Sequence, residues 1–128
     1  MEALFTVDLI PVKRRPRFTS RGGKPRAYMD SKTEAEQRRV LECWKEQTRQ
    51  EKAPEGIPVS LFVQVFKRTR KTDACDVKPD LDNIVKAIMD ALNGYAFEDD
   101  KQVVSITARK FKDGSKDGFE CVKVKLYW

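Results

Sequence analysis

The stretch Lys78–Val104, KPDLDNIVKAIMDALNGYAFEDDKQVV, contains a helix, its stop, the approach to a strand, and six carboxylates. Residues 83–92 place Ile84, Val85, Ile88, Ala91 and Leu92 at helical spacing. Asn93-Gly94 ends the pattern, because glycine tolerates the left-handed conformation that follows a helix. Asp80 and Asp82 are two residues apart, so an extended 78–82 segment would project both side chains to one side. Asp82 or Asn83 then starts the helix, beside its positive N-terminal end. Asn83, Lys86 and Asp90 share a helical face. Beyond the turn, Asp99-Asp100 arrive just before the next strand, predicted over 102–111.

Working outward, residues 57–66 (IPVSLFVQVF) alternate, with Val59, Leu61, Val63 and Val65 on one face and Ser60, Phe62, Gln64 and Phe66 on the other. That period of two is a strand. Residues 4–10 predict a short strand closed by Pro11, and 119–127 a last strand reached through the Asp-Gly turns of KDGSKDG. Ser31-Lys32-Thr33-Glu34 is a capping-box sequence, predicting a helix to about Ala53 with Val40, Leu41, Trp44 and Thr48 as its buried stripe. Pro11, Pro16, Gly22, Gly23 and Pro25 break residues 9–29 into an irregular arm. The order β-α-β-α-β-β predicts an α+β fold, a single domain over 1–128 with helices packed on a mixed sheet.

Charge is distributed unevenly. The formal net charge is +6, yet residues 72–100 hold eight acids and two lysines, leaving +12 for the rest of the chain. The arm alone carries Lys13, Arg14, Arg15, Arg17, Arg21, Lys24 and Arg26 with Phe18 and Tyr28 among them, and Lys67, Arg68, Arg70 and Lys71 follow the central strand. Clustered cations with interleaved aromatics are the footprint of a nucleic-acid contact. A basic protein with one acidic island is arranged to hold a polyanion beside a divalent cation. The chain has no histidine, which excludes Ser-His-Asp and Cys-His triads and HEXXH zinc sites. Cys43, Cys75 and Cys121 are odd in number and widely spaced, arguing against a disulfide framework or a zinc site and for a reducing cytoplasm. No apolar run approaches a membrane span, and the N-terminus lacks the basic leader of a signal peptide.

Taken singly, each acid of the island has an ordinary structural use: Asp82 or Asn83 as an N-cap, Asp82–Lys86 or Lys86–Asp90 as ion pairs, Glu98 to Asp100 as a solvated turn. Convergence would change that. Two like charges at about 4 Å repel by roughly 4 kcal/mol at an effective dielectric near 20. Three such pairs would rival the roughly 5–15 kcal/mol that stabilises a domain. A cluster of Asp80, Asp82 and one of Asp99/Asp100 must therefore be relieved by protonation, by a cation, or by not converging. All-oxygen ligands select a hard ion, Mg²⁺ or Mn²⁺. A calcium loop is excluded, because Val85 stands at its glycine position and Ala91 at its final acid.

The order D-x-D-N-x-x-K, an apolar helix with D-A-L, then D-D-x-Q-V, running from Lys78 to Val104, resembles the signature of RusA-type Holliday-junction resolvases. The resemblance implies a small α+β homodimeric endonuclease, bacterial or phage-encoded, that needs Mg²⁺ (Mn²⁺ substituting) and nicks four-way DNA junctions in symmetrically related strands during recombination and repair. It implies Asp80, Asp82 and Asp100 as metal ligands, Asp99 as helper or substitute, and Lys86 as the catalytic lysine. The chain departs from familiar members in its Arg/Lys/Pro arm and in Pro79 before the first aspartate. Two rival readings stand beside this one. Pro79-Asp80 with Asp99-Asp100-Lys101 loosely matches the PD-(D/E)xK nucleases, using Asp80, Asp99 and Lys101, but leaves Asp82, Asn83 and Lys86 without a role. The other is a non-catalytic basic DNA-binding protein.

Overall fold

The computed structural model describes residues 1–68, 78–112 and 120–128, and only the backbone of Arg21. Four strands form the main sheet: β1 (Glu2–Val7), β4 (Val59–Phe66), β5 (Val103–Phe111) and β6 (Cys121–Tyr127). Their spatial order is β1-β6-β4-β5, with β1/β6 and β6/β4 antiparallel and β4/β5 parallel. A parallel neighbour needs a crossover longer than a hairpin. Helix α2 (Leu81–Leu92) lies within the β4–β5 connection, and α1 (Ser31–Gln47) packs beside it against β1. The expected α+β class with a mixed sheet is thus observed.

The alternation in β4 places Val59, Leu61, Val63 and Val65 in the core and leaves Phe62 on the opposite, uncovered face. Val122, Val124 and Leu126 extend the buried face across β6, and Phe5 and Val7 across β1. Against them α2 buries Ile84, Val85, Ala87, Ile88, Ala91 and Leu92, while α1 contributes Val40, Cys43 and Trp44. Among the described residues no helix is long and apolar enough to cross a membrane.

Local chemistry moved several boundaries. Helix α1 is capped by Asp30 rather than Ser31: its carboxylate accepts from the Lys32 and Thr33 amides, at 3.0 and 3.2 Å. The helix ends at Gln47, where the Thr48 hydroxyl donates back to the Trp44 carbonyl at 2.7 Å, instead of reaching Ala53. The Gln47 amide instead pairs with both backbone groups of Thr6, giving edge strand β1 a partner for them. The arm is not wholly irregular, because Arg17–Thr19 (β2) and Arg26–Tyr28 (β3) form a short antiparallel hairpin. Gly94 has φ +83°, in keeping with its role in the turn after α2. The Asp-Gly turns at 113–114 and 117–118 lie outside the described residues, as do Cys75, Arg70 and Lys71.

Candidate active site

A groove of about 550 Å³ runs between α2 and the outer strand β5. Its α2 wall is Leu81, Asp82, Val85, Lys86, Met89 and Asp90; Ile106 and Ala108 form the β5 wall, and Asp100 enters from the turn before β5. The polar residues of α2 here are 82, 86 and 90, a spacing of four that puts them one above another along the helix. Of the expected face of Asn83, Lys86 and Asp90, the last two line the groove, and Asp82 rather than Asn83 joins them.

The aspartates do not gather as one cluster. Asp82 and Asp100 line the groove, whereas Asp80 does not. Residues 78–82 are not uniformly extended: Asp80 occupies the N-cap position and Asp82 already lies in the first helical turn. Asp80 sits 3.6 Å from the Lys78 ammonium. Asp99 lines a separate cavity with Lys101, Glu98 and Glu55. Among the described residues no three acidic or sulfur-bearing side chains stand close enough to enclose a metal ion. The donor chemistry still suits a hard cation, since every acid bordering the groove offers carboxylate oxygen. The alternative trio of Asp80, Asp99 and Lys101 is divided, with Asp80 lining neither cavity.

Asp99 and Asp100 titrate in opposite directions. Asp99 is held low by the Lys101 amide and by its hydrogen bond with Asp100. Asp100 is pushed up, first by that bond to Asp99, then by desolvation and by the charges of Asp99 and Asp90. The titrations of the two carboxyls are thus pushed apart by their mutual hydrogen bond and charge, as those of crowded like charges are expected to be.

Gln102 fixes the turn that carries both acids. It is buried, and its carbonyl oxygen accepts from the Glu98 and Asp99 amides at 2.9 and 3.1 Å. Its amide nitrogen donates to the carbonyls of Pro54 and Ile57 at 2.7 and 3.1 Å. Both ends of one side chain are thus satisfied, tying the 98–102 turn to the segment before β4. In the sequence Gln102 showed only as a letter in D-D-x-Q-V; a glutamine directly before a strand was the available signal.

The basic arm borders the groove through its first residue. Lys13 bonds through its backbone N–H to the Asn83 carbonyl at 3.0 Å, and its ammonium pairs with Asp90 at 3.0 Å. Arg14 is occupied by Glu36 at 2.6 Å and Arg17 by Asp30 at 2.7 Å, so these predicted DNA contacts also brace the arm. Lys67 pairs with Glu120 at 3.2 Å, and the Arg68 backbone bonds to the same acid. Arg15, Lys24 and Arg26 are exposed and have no carboxylate ion pair among the described residues. Lys86 likewise has none, leaving its ammonium available inside the groove.

Three aspartates and a lysine thus lie along one open groove of a basic α+β domain. The chain matches the family model described as endodeoxyribonuclease RusA over residues 9–125, and it belongs to that family. It is also 33% identical over 123 residues to the uncharacterized protein YqaN of Bacillus subtilis (strain 168), covering 84% of this chain and 85% of that one.

Proposed function

We propose that the protein is a Mg²⁺-dependent endonuclease that resolves four-way DNA junctions by paired, symmetric nicks in recombination and repair, with Mn²⁺ able to substitute. The observation that supports it is the single groove shared by Asp82, Lys86, Asp90 and Asp100, whose rim holds the first lysine of the basic arm. In this reading Asp82 and Asp100 hold the cation with Asp80, which enters after a change in its side-chain direction, and Asp99 assists through Asp100. When bound, the cation lowers the pKa of water and neutralises charge on the phosphate. Lys86 donates to a phosphate or leaving oxygen, a role suited to an ammonium without a competing carboxylate. The hydrogen bond between Asp99 and Asp100 orients the Asp100 carboxyl, and Gln102 holds the turn in place. Lys13, Arg15, Lys24 and Arg26 meet the backbone phosphates of the arms.

Paired nicks require two sites, which a two-fold homodimer supplies on a junction of matching symmetry. We assign the dimer contact to the sheet face opposite the helices, where Phe66 and Phe111 stack at 5.0 Å and Phe62 and Leu4 are exposed. The decisive experiment is Mg²⁺-dependent cleavage of a synthetic four-way junction beside a linear duplex of the same sequence. Paired nicks on the junction alone support the reading; junction binding without cleavage in either Mg²⁺ or Mn²⁺ refutes it in favour of a binding module.

A further inference from the structure

The β2–β3 hairpin contributes almost nothing to the core. Its strands have three residues each, and none of the six is buried. Two-stranded hairpins are marginal in water without packing beneath them. This one is held from its base. The Arg17 Nε donates to one carboxylate oxygen of Asp30, while the other oxygen accepts from the first amides of α1. A single carboxylate thus joins the hairpin to the domain. Just upstream, Arg14 is tied to Glu36 and Lys13 to Asn83 and Asp90 on the groove helix. Five residues separate Lys13 from Phe18, so the Phe18 backbone lies within about 18 Å of Lys13 beside the groove.

Phe18 is 71% exposed at the end of this anchored segment. Its cross-strand partner is Ala27, too small to cover a phenyl ring, while Tyr28 is opposite Arg17 on the other face of the ribbon. Arg17, next to Phe18, is taken up by Asp30, whereas Arg15, three residues upstream, and Lys24 and Arg26, across the turn, are exposed and lack carboxylate partners among the described residues. Arg26, opposite Thr19, lies on the face of the ribbon away from Phe18. A hairpin tied at its base, with a bare aromatic ring on one face and unpaired cations on the same short arm, matches a flat apolar surface flanked by phosphates. Paired bases inside a duplex are already stacked on both sides. Bases at a branch point can unpair and expose that surface.

We propose that Phe18 stacks on an unpaired base at the branch point while Arg15, Lys24 and Arg26 hold the flanking phosphates, so the hairpin distinguishes branched from linear DNA. This rests on the assignment of the protein as a junction nuclease. The test compares the full-length wild type with Phe18→Ala, Phe18→Leu and Phe18→Trp, measuring affinity for a four-way junction and a linear duplex with Ca²⁺ in place of Mg²⁺. Phe18→Ala and Phe18→Leu should weaken junction binding by about 5- to 100-fold, the range for losing one base–aromatic stack, with duplex binding unchanged. Phe18→Trp should restore it. Equal losses on both DNAs, a Leu variant that binds as well as Trp, or no change on either DNA would overturn the proposal, the last pointing to a protein partner. Thermal unfolding of each variant confirms that the fold is retained. Wild-type cleavage of the junction is scored separately, so an active enzyme with an indifferent Phe18 defeats only the hairpin assignment.

Discussion

Gln102 offers a test of how the acidic turn is built. Its four hydrogen bonds, at 2.7, 2.9, 3.1 and 3.1 Å, all go to backbone groups, and the side chain is buried. At about 1 kcal/mol net per bond, Gln102→Ala should cost roughly 4 kcal/mol, a large share of a stability of about 5–15 kcal/mol. Gln102→Glu has the same shape and is more discriminating. Its carboxylate still accepts from the Glu98 and Asp99 amides but presents oxygen to the carbonyls of Pro54 and Ile57. Two bonds are lost and a charge is placed beside Glu98, Asp99 and Asp100, so the folded-state pKa of the new acid rises. A raised folded pKa means the protonated acid is favoured on folding. Its relative stability is then greatest below the unfolded pKa near 4.3 and is lost as pH rises through the folded value. At pH 7 the variant should lose at least about 2 kcal/mol, lowering the urea midpoint by about 0.7 to 2 M for a slope of 1–3 kcal/mol/M. The gap to wild type should narrow at pH 4.5. Equal urea midpoints at pH 7, or a gap that does not change with pH, would refute the clamp.

Asp82→Asn should keep junction affinity and reduce cleavage to background in a gel assay with Mg²⁺; unchanged cleavage would remove Asp82 from the site. Lys13→Gln breaks a partly buried ion pair and should cost about 1 kcal/mol or less in urea unfolding, while lowering junction affinity and flattening its salt dependence. The Asp8 carboxyl is held below its usual value, chiefly by its hydrogen bonds with Arg39. Its contribution is therefore present above about pH 4 and lost as pH falls through the depressed folded value. Because Asp8 is exposed and Arg39 only half-buried, it amounts to about a few tenths of a kcal/mol, so Asp8→Asn should differ little from wild type at pH 3 and slightly more at pH 7. Phe62→Glu on the open sheet face should leave thermal stability of the monomer nearly intact and shift sedimentation toward the monomer; an unaltered dimer would place the contact elsewhere.

The strands and α2 were legible because their periods are strong: Val59 to Val65 alternate without interruption, and α2 repeats apolar residues on one face. The arm was less so, since its hairpin has no buried residue to create a pattern and is held by one remote contact, Arg17 to Asp30. The cap of α1 shows competition between neighbours. Ser31 fits the capping box by spacing, but Asp30 has the shorter path to two helix amides and gains Arg17 as well. In the groove, sequence order picked out Asp82, Lys86 and Asp100 but not which face of α2 they use. The helix begins at Leu81 rather than Asp82 or Asn83, which makes Asp80 its N-cap residue, and Asp80 does not line the groove. Gln102 acts through partners as far back as Pro54, a relation no local spacing encodes.

The acidic island raised the question of how like charges could share so little space, and the fold answers it with several local devices. Asp80 has Lys78, Asp90 has Lys13, Glu98 has Lys52, and Asp99 and Asp100 are hydrogen-bonded, with Asp99 held low and Asp100 pushed up. Asp82, like Asp99 and Asp100, has no ion pair among the described residues, and it lies at the positive end of α2. Each device is weak and exposed enough to be exchanged, worth about 1 kcal/mol or less per surface pair. A fully buried carboxylate cluster would cost several times more to assemble before any cation arrived. Spreading the acids over the groove, the neighbouring cavity and the helix N-terminus therefore keeps the domain stable, with the oxygens of Asp82, Asp90 and Asp100 open along the groove.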